Sequence, residues 1–291
     1  VNQVLPFSAY DSRDPEKLWE YLADYEEKTG GDVLAIPHNI NWSAGQAFML
    51  KDSQGRVLNR AYANLRSRWE PLVEVTQIKG DSESLPLLSP ADEFAGYGVA
   101  WTRGGTETED DLRQFEYARS GLKLGLAQQA KLGVNPFKFG LIGSTDSHIS
   151  LSAVEENNFW GKFPYLEPSA ERMMATEGFN WRMNSAGYAA VWATENTREA
   201  LFAAMKRKET YATTGPRMTV RFFGGWNYKS NDALRPDSAI IGYSNGVPMG
   251  GDLTNAPKGK SPKFLIRAVK DPGGANLDRV QVVKGWHDKQ G

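Results

Sequence analysis

The stretch FKFGLIGSTDSH, residues 137–148, runs from an apolar segment directly into a polar loop. Its first half predicts a buried strand, and Asp146 and His148 follow within a few residues. A second apolar run, VLAI at 33–36, leads in the same way into Pro37-His38-Asn39. Continuous apolar strands are typical of parallel sheets, whose functional sites lie at the carboxyl ends of the strands. The sequence therefore predicts an α/β fold with its site at these strand ends.

Helical segments alternate with the predicted strands. Capping residues and apolar periodicity predict helices at 14–31, 58–69, 110–132 and 196–208, and further strands at 72–78 and 210–214. This alternation indicates a parallel barrel or a doubly wound sheet over residues 1–216. Short strand-like runs at 219–223, 264–269 and 280–283 indicate a β-rich appendage over 217–291, which we expect to be truncated.

The composition excludes several classes of function. The 34 basic and 35 acidic residues give a net charge of -1, without a block of like charge, so nucleic acid and membrane surfaces are not expected partners. With no cysteine, a metal ion could be held only by imidazole and carboxylate groups. No apolar run is long enough to cross a bilayer, so a soluble protein is expected, exported if a signal peptide precedes Val1. Oligomeric state is not indicated.

Four residues are candidate metal ligands: His38, Glu74, Asp146 and His148. A carboxylate and an imidazole two positions apart in a loop can converge on one cation, which favours Asp146 with His148. The alternative is that Asp146 caps the next element while His148 lies in a polar loop. For His38 the alternative is a hydrogen-bonded structural histidine.

Glu74 lies between two valines in a predicted strand. A carboxylate there is costly unless it is paired or binds a metal, so Glu74 is a candidate ligand or a support for one. The alternative is that it points to a solvated strand end, or pairs with Lys79 or an arginine. His287, in the polar C-terminal tail, is interpreted as an exposed residue without a role.

Three motifs resemble, in order, the later metal-binding motifs of the polymerase and histidinol phosphatase (PHP) superfamily: IPHN at 36–39, VEV at 73–75 and GSTDSH at 143–148. Two longer stretches resemble a domain-of-unknown-function branch of that superfamily: TQIKGDSE at 76–83 and YATTGPR at 211–217. The resemblance covers about residues 14 to 223. It implies a distorted (βα)7 barrel, incomplete at its N-terminus, that binds divalent ions such as zinc, manganese or iron.

The resemblance also implies the ligands and the reaction. By motif match, His38, Asp146 and His148 are metal ligands, and Glu74 corresponds to a strand acid whose ligation varies. The expected function is hydrolysis of phosphate or similar anionic esters through a metal-activated water, with Asp146 and His148 at the catalytic centre. Lys79 and Arg217, in the branch-like stretches, are candidate contacts for a small anionic substrate.

One departure from the superfamily limits this interpretation. Its N-terminal His-x-His motif is absent, and the chain has only three histidines. Either the chain begins after that motif, or it is a homologue that has lost its full site and serves as a non-catalytic binding domain, with the aromatic-rich region 159–192 as a ligand surface. An amidohydrolase-like barrel acting on an amide or lactone is a further alternative. We expect this chain alone to be inactive and to retain metal weakly.

Overall fold

The computed structural model describes residues 4–99, 109–148 and 187–288. Most of the aromatic-rich region, up to residue 186, therefore lies outside the described residues. The chain forms two compact units. The first unit comprises Val1–Val75, Asp81–Phe139 and Lys284–Gly291, and the second unit comprises Thr76–Gly80 and Gly140–Val283. The predicted boundary between residues 216 and 217 stays a prediction.

The first unit is mainly helical. It contains α1 (Pro15–Thr29), α2 (Arg60–Trp69) and α3 (Ala118–Leu132), with 3-10 turns at Ile40–Trp42 and Arg113–Phe115. The ends of α1 follow the sequence prediction, because Asp14 accepts a hydrogen bond from the backbone N–H of Glu16 and Gly30 ends the helix with φ of 67°. The predicted helix at 110–132 begins later, at Ala118, because residues 110–117 form turns instead.

Aromatic side chains form the core of the first unit. Trp19 of α1 is 1% exposed and packs edge-on against Tyr62 of α2, with ring centroids 5.0 Å apart. The Trp19 indole N–H donates to Glu70 Oε1 at 3.1 Å. Phe137 is fully buried, and the guanidinium of Arg66 lies 4.7 Å from its ring centroid. Phe137 is thus a core residue rather than the start of a strand.

The second unit is mainly β-structure. The strand β1 (Leu72–Gln77) passes from the first unit into the second and is the middle strand of a sheet with the order β2-β1-β3. The other strands of that sheet are β2 (Gly80–Asp81) and β3 (Gly140–Gly143). The remaining elements are β4 (Tyr188–Val191), α4 (Arg198–Lys206), β5 (Thr210–Thr213), β6 (Thr219–Gly225), a 3-10 turn at Asp232–Leu234, α5 (Ser238–Asn245), β7 (Gly246–Pro248) and β8 (Lys263–Val269).

The other two sheets of the second unit are antiparallel. β4 pairs with β5, with Tyr188 opposite Thr213, and β6 pairs with both β7 and β8. Phe223 on β6 packs with Tyr228 and Leu265 to form a buried cluster. Helix α5 approaches this cluster through Gly242, where a Cβ atom would lie 2.6 Å from the Phe223 ring. A larger residue at position 242 would therefore push the helix away.

The predicted distorted (βα)7 barrel is wrong. In the described residues the strands form sheets of only two or three strands, and none closes into a barrel. A parallel barrel needs a parallel neighbour on both sides of each strand, whereas β5, β6 and β8 have antiparallel neighbours. The predicted strands at 33–36 and 280–283 are also absent. An apolar run indicates burial but does not specify the partner strand, which explains the error.

Several local predictions are confirmed. The predicted helix at 58–69 corresponds to α2, and the helix at 196–208 corresponds to α4, which Thr197 caps. The strands predicted near 72–78, 210–214, 219–223 and 264–269 are β1, β5, β6 and β8. None of the helices in the three described ranges is long and apolar enough to span a membrane.

Candidate functional site

Three chain segments of the second unit meet where β1 and β3 end. The backbone N–H of Ser144 donates to Thr76 O at 3.0 Å, and the N–H of Gly187 donates to Ser144 O at 2.8 Å. A Cβ atom on Gly143 would lie 2.6 Å from Tyr188 O, so only glycine permits this approach. This close packing places the loop that carries Asp146 beside the loop that follows β1.

The backbone at Asp146 is left-handed, with φ of 48°. Asn39, directly after His38, is also left-handed, with φ of 55°. This conformation is uncommon for residues other than glycine, although Asn and Asp tolerate it best, and it clusters at functional sites. Both loops with candidate ligands therefore contain one such residue.

The Asp146 carboxylate contacts an ammonium group and an imidazole. Its Oδ2 accepts a hydrogen bond from Lys79 Nζ, and its Oδ1 lies 3.2 Å from His148 Nε2. The side chains of Lys79 and Asp146 are 10% and 7% exposed, whereas that of His148 is 55% exposed. A buried carboxylate thus has a buried cation on one side and an imidazole open to solvent on the other.

Gln77 supports Lys79 and was not predicted from the sequence. Its Oε1 accepts from the Lys79 backbone N–H at 3.2 Å and lies 3.4 Å from Lys79 Nζ. Gln77 is 1% exposed at the last position of β1. The signal that could have found it is the TQIKGDSE stretch, where a buried amide lies two positions before the lysine.

His38 and Glu74 form a pair within the first unit. His38 Nδ1 lies 2.8 Å from Glu74 Oε2, with side-chain exposures of 44% and 8%. The two segments are also joined through the backbone, since the N–H of Glu74 donates to Pro37 O at 3.2 Å. Glu74 therefore has the partner that its buried position requires, and that partner is a histidine rather than Lys79 or an arginine.

The donor atoms of each pair have a spacing that suits a cation. Two ligands of one ion at bond lengths of about 2.1 Å lie roughly 3 Å apart, close to the separations of 2.8 and 3.2 Å in the two pairs. A direct hydrogen bond has the same length.

Within residues 4–99, 109–148 and 187–288, no group of three or more His, Asp or Glu side chains is arranged to hold a metal ion. Each pair belongs to a different unit, so a cation shared by His38, Asp146 and His148 stays a prediction.

The other two predicted residues lie on the surface. Arg217 is exposed, its backbone N–H donates to Asp271 Oδ2 at 2.6 Å, and its guanidinium lies 5.9 Å from the Tyr188 ring centroid. Its predicted contact with substrate stays a prediction. His287 is exposed, as expected.

Asp81, in the first unit, has the most perturbed carboxyl of the TQIKGDSE stretch. Burial raises the pKa of this carboxyl from 3.8 to about 7, and nearby Glu83 acts in the same direction. Backbone hydrogen bonds and the Arg119 guanidinium oppose the increase. Arg119 is itself held by Glu83 at 2.6 Å and Asp92 at 2.8 Å. Strand β2 therefore carries a carboxyl whose pKa is near neutrality.

Comparison with known proteins gives one family. The full chain, residues 1–291, matches a family model described as a protein of unknown function (DUF3604). No curated protein and no solved structure matches the chain. The chain belongs to the DUF3604 family of proteins of unknown function.

Proposed function

We propose that this protein is a metal-dependent hydrolase of phosphate or similar anionic esters, with its centre at Asp146. The observation that carries the proposal is the buried Asp146 carboxylate, which lies between the Lys79 ammonium and the His148 imidazole on a residue with a left-handed backbone. Carboxylate and imidazole are the donors that a chain without cysteine can offer to zinc, manganese or iron. The resemblance of GSTDSH to a PHP ligand motif supports the same assignment.

The residues have distinct proposed roles. Asp146 and His148 bind the cation, and Lys79 binds an anionic oxygen of the substrate. When bound, a divalent ion supplies polarisation of the ester and lowers the pKa of a water molecule. The 55% exposure of the His148 side chain leaves this end of the site accessible to a small substrate.

The His38 and Glu74 pair fits the role of a histidine ligand with its support. A metal-binding imidazole commonly donates its second ring N–H to a carboxylate, which selects the tautomer and orients the ring. The Glu74 carboxylate lies beside Nδ1 of His38, so we assign the other ring nitrogen of His38, Nε2, as the atom that binds a cation. In this assignment Glu74 is a positioning residue rather than a ligand.

The test is hydrolysis of p-nitrophenyl phosphate and bis-p-nitrophenyl phosphate with added Mn²⁺ or Zn²⁺ by the product of the whole gene, since we expect this chain alone to be inactive. Asp146→Asn keeps the shape of the side chain but loses the anionic donor, and we expect it to lower kcat/KM by at least about 100-fold. Asp252→Asn, at an exposed position of the second unit, is the matched control and should retain full activity. Unchanged activity in Asp146→Asn would remove Asp146 from the centre.

The substrate panel separates the alternatives. Turnover of a nitroanilide or a lactone without turnover of either phosphate ester would favour the amidohydrolase type of reaction. Metal retention without turnover of any substrate would favour a binding domain. Retained metal is measured by atomic emission after dialysis of the whole chain.

A further inference from the structure

Lys79 binds one oxygen of the carboxylate that a cation would need. Its ammonium contacts Asp146 Oδ2, while His148 approaches the other oxygen of the same carboxylate. Both members of the Lys79 and Asp146 pair are about nine-tenths buried, so water screens their attraction only weakly. The lysine thus neutralises the charge of a buried carboxylate.

A divalent ion and this ammonium group cannot both stay close to Asp146 without strong repulsion. The ion would bind Asp146 Oδ1, beside His148, at about 2 Å, while the ammonium is bound to Oδ2 of the same carboxylate, so the two positive charges would lie only a few ångströms apart. We infer that Lys79 is an internal competitor of the metal ion, and that it leaves Asp146 when the ion binds. This inference rests on the proposed function, since it takes Asp146 as a metal ligand.

The environment of Lys79 gives the released ammonium a defined place. The Gln77 side-chain oxygen lies 3.4 Å from Nζ and also accepts the Lys79 backbone N–H, so the residue stays anchored when it leaves the carboxylate. Once the ion neutralises Asp146, the ammonium is available for an anionic oxygen of the substrate. The protein then binds the metal ion first and the anion second, and Lys79 acts on substrate affinity through this exchange.

The test measures Mn²⁺ affinity of the whole chain without substrate, by isothermal titration calorimetry. We expect Lys79→Gln, which keeps a hydrogen-bond donor but removes the charge, to bind Mn²⁺ at least about tenfold more tightly than the wild type. Lys79→Met should show the same direction. Lys229→Met, at an exposed lysine of the second unit, removes the same charge at a distant position of the sequence and should leave the affinity unchanged.

Thermal unfolding provides a second readout. Mn²⁺ should raise the Tm of Lys79→Gln more than that of the wild type, because metal binding stabilises the state that binds it. Equal or weaker Mn²⁺ binding by both Lys79 variants, with binding still lost in Asp146→Asn, would overturn the competition while leaving the proposed metal site intact. Absence of Mn²⁺ binding in the wild type and in both Lys79 variants would instead overturn the proposed function, and the competition with it.

Discussion

Asp81 should make the protein less stable as the pH rises through neutrality. Burial raises the pKa of its carboxyl from 3.8 to about 7, with Glu83 adding to this effect. Because the folded-state pKa is above the unfolded value, the folded chain binds more protons between about pH 4 and pH 7. The stabilising contribution is therefore complete below about pH 4 and is lost as the pH rises through about 7.

The size of this effect follows from the two pKa values. The difference between 3.8 and about 7 corresponds to about 4 kcal/mol at about 1.4 kcal/mol per pH unit. Asp81 is partly exposed, and solvent screening reduces the expected change to roughly 2–4 kcal/mol. Asp81→Asn, which cannot titrate, should remove this part of the pH dependence.

The assay is urea unfolding of the whole chain between pH 4 and pH 8, followed by tryptophan fluorescence. The free energy of unfolding of the wild type minus that of Asp81→Asn should fall as the pH rises. Asp271→Asn is the control without a pH-dependent difference in this range, because hydrogen bonds from the backbone N–H groups of Arg217 and Gly273 lower the pKa of Asp271 below its usual value of 3.8. The stabilisation by Asp271 is present above its unfolded pKa and is lost as the pH falls through its folded pKa. A constant difference between wild type and Asp81→Asn across this range would refute the reasoning.

Two further predictions concern the core of the first unit. Glu116→Gln should lower the free energy of unfolding by about 3–5 kcal/mol, because Glu116 is fully buried and its buried arginine partner would lose its counterion. The control Glu20→Gln, on the surface of α1, should change the free energy of unfolding by less than about 0.5 kcal/mol. Equal effects of Glu116→Gln and Glu20→Gln in urea unfolding would show that Glu116 does not stabilise the core. Gly125→Ala should destabilise the protein, although alanine favours helices by about 1 kcal/mol relative to glycine. The new Cβ would lie 2.2 Å from Asn135 Oδ1, which accepts a hydrogen bond from the backbone N–H of Phe137, so this bond would be disturbed. Gly96→Ala is the matched control, because its Cβ would lie no closer than 3.5 Å to any neighbouring atom. An increase in the Tm of Gly125→Ala would show instead that the Asn135 side chain moves aside without loss of stability.

The sequence alone predicted the features that depend on near neighbours. The ends of α1 could be predicted because Asp14 and Gly30 act on backbone groups only a few residues away. The strand-end position of Asp146 followed from the apolar run before it, and β3 ends three residues earlier, at Gly143. The strand that carries Glu74 also followed from the sequence, but its burial did not, because a carboxylate between two valines can either face solvent or be buried with a partner, and both alternatives were open.

The strand partners and the side-chain pairs required the tertiary structure. Lys79 and Asp146 are 67 positions apart, and His38 and Glu74 are 36 apart, so no local pattern specifies either contact. The same limitation produced the incorrect barrel, since an apolar run such as 33–36 shows a tendency to be buried without naming its neighbour. Strand pairing and buried ion pairs depend on packing between distant segments, and that packing is decided by the free energy of the whole fold rather than by any single stretch of sequence.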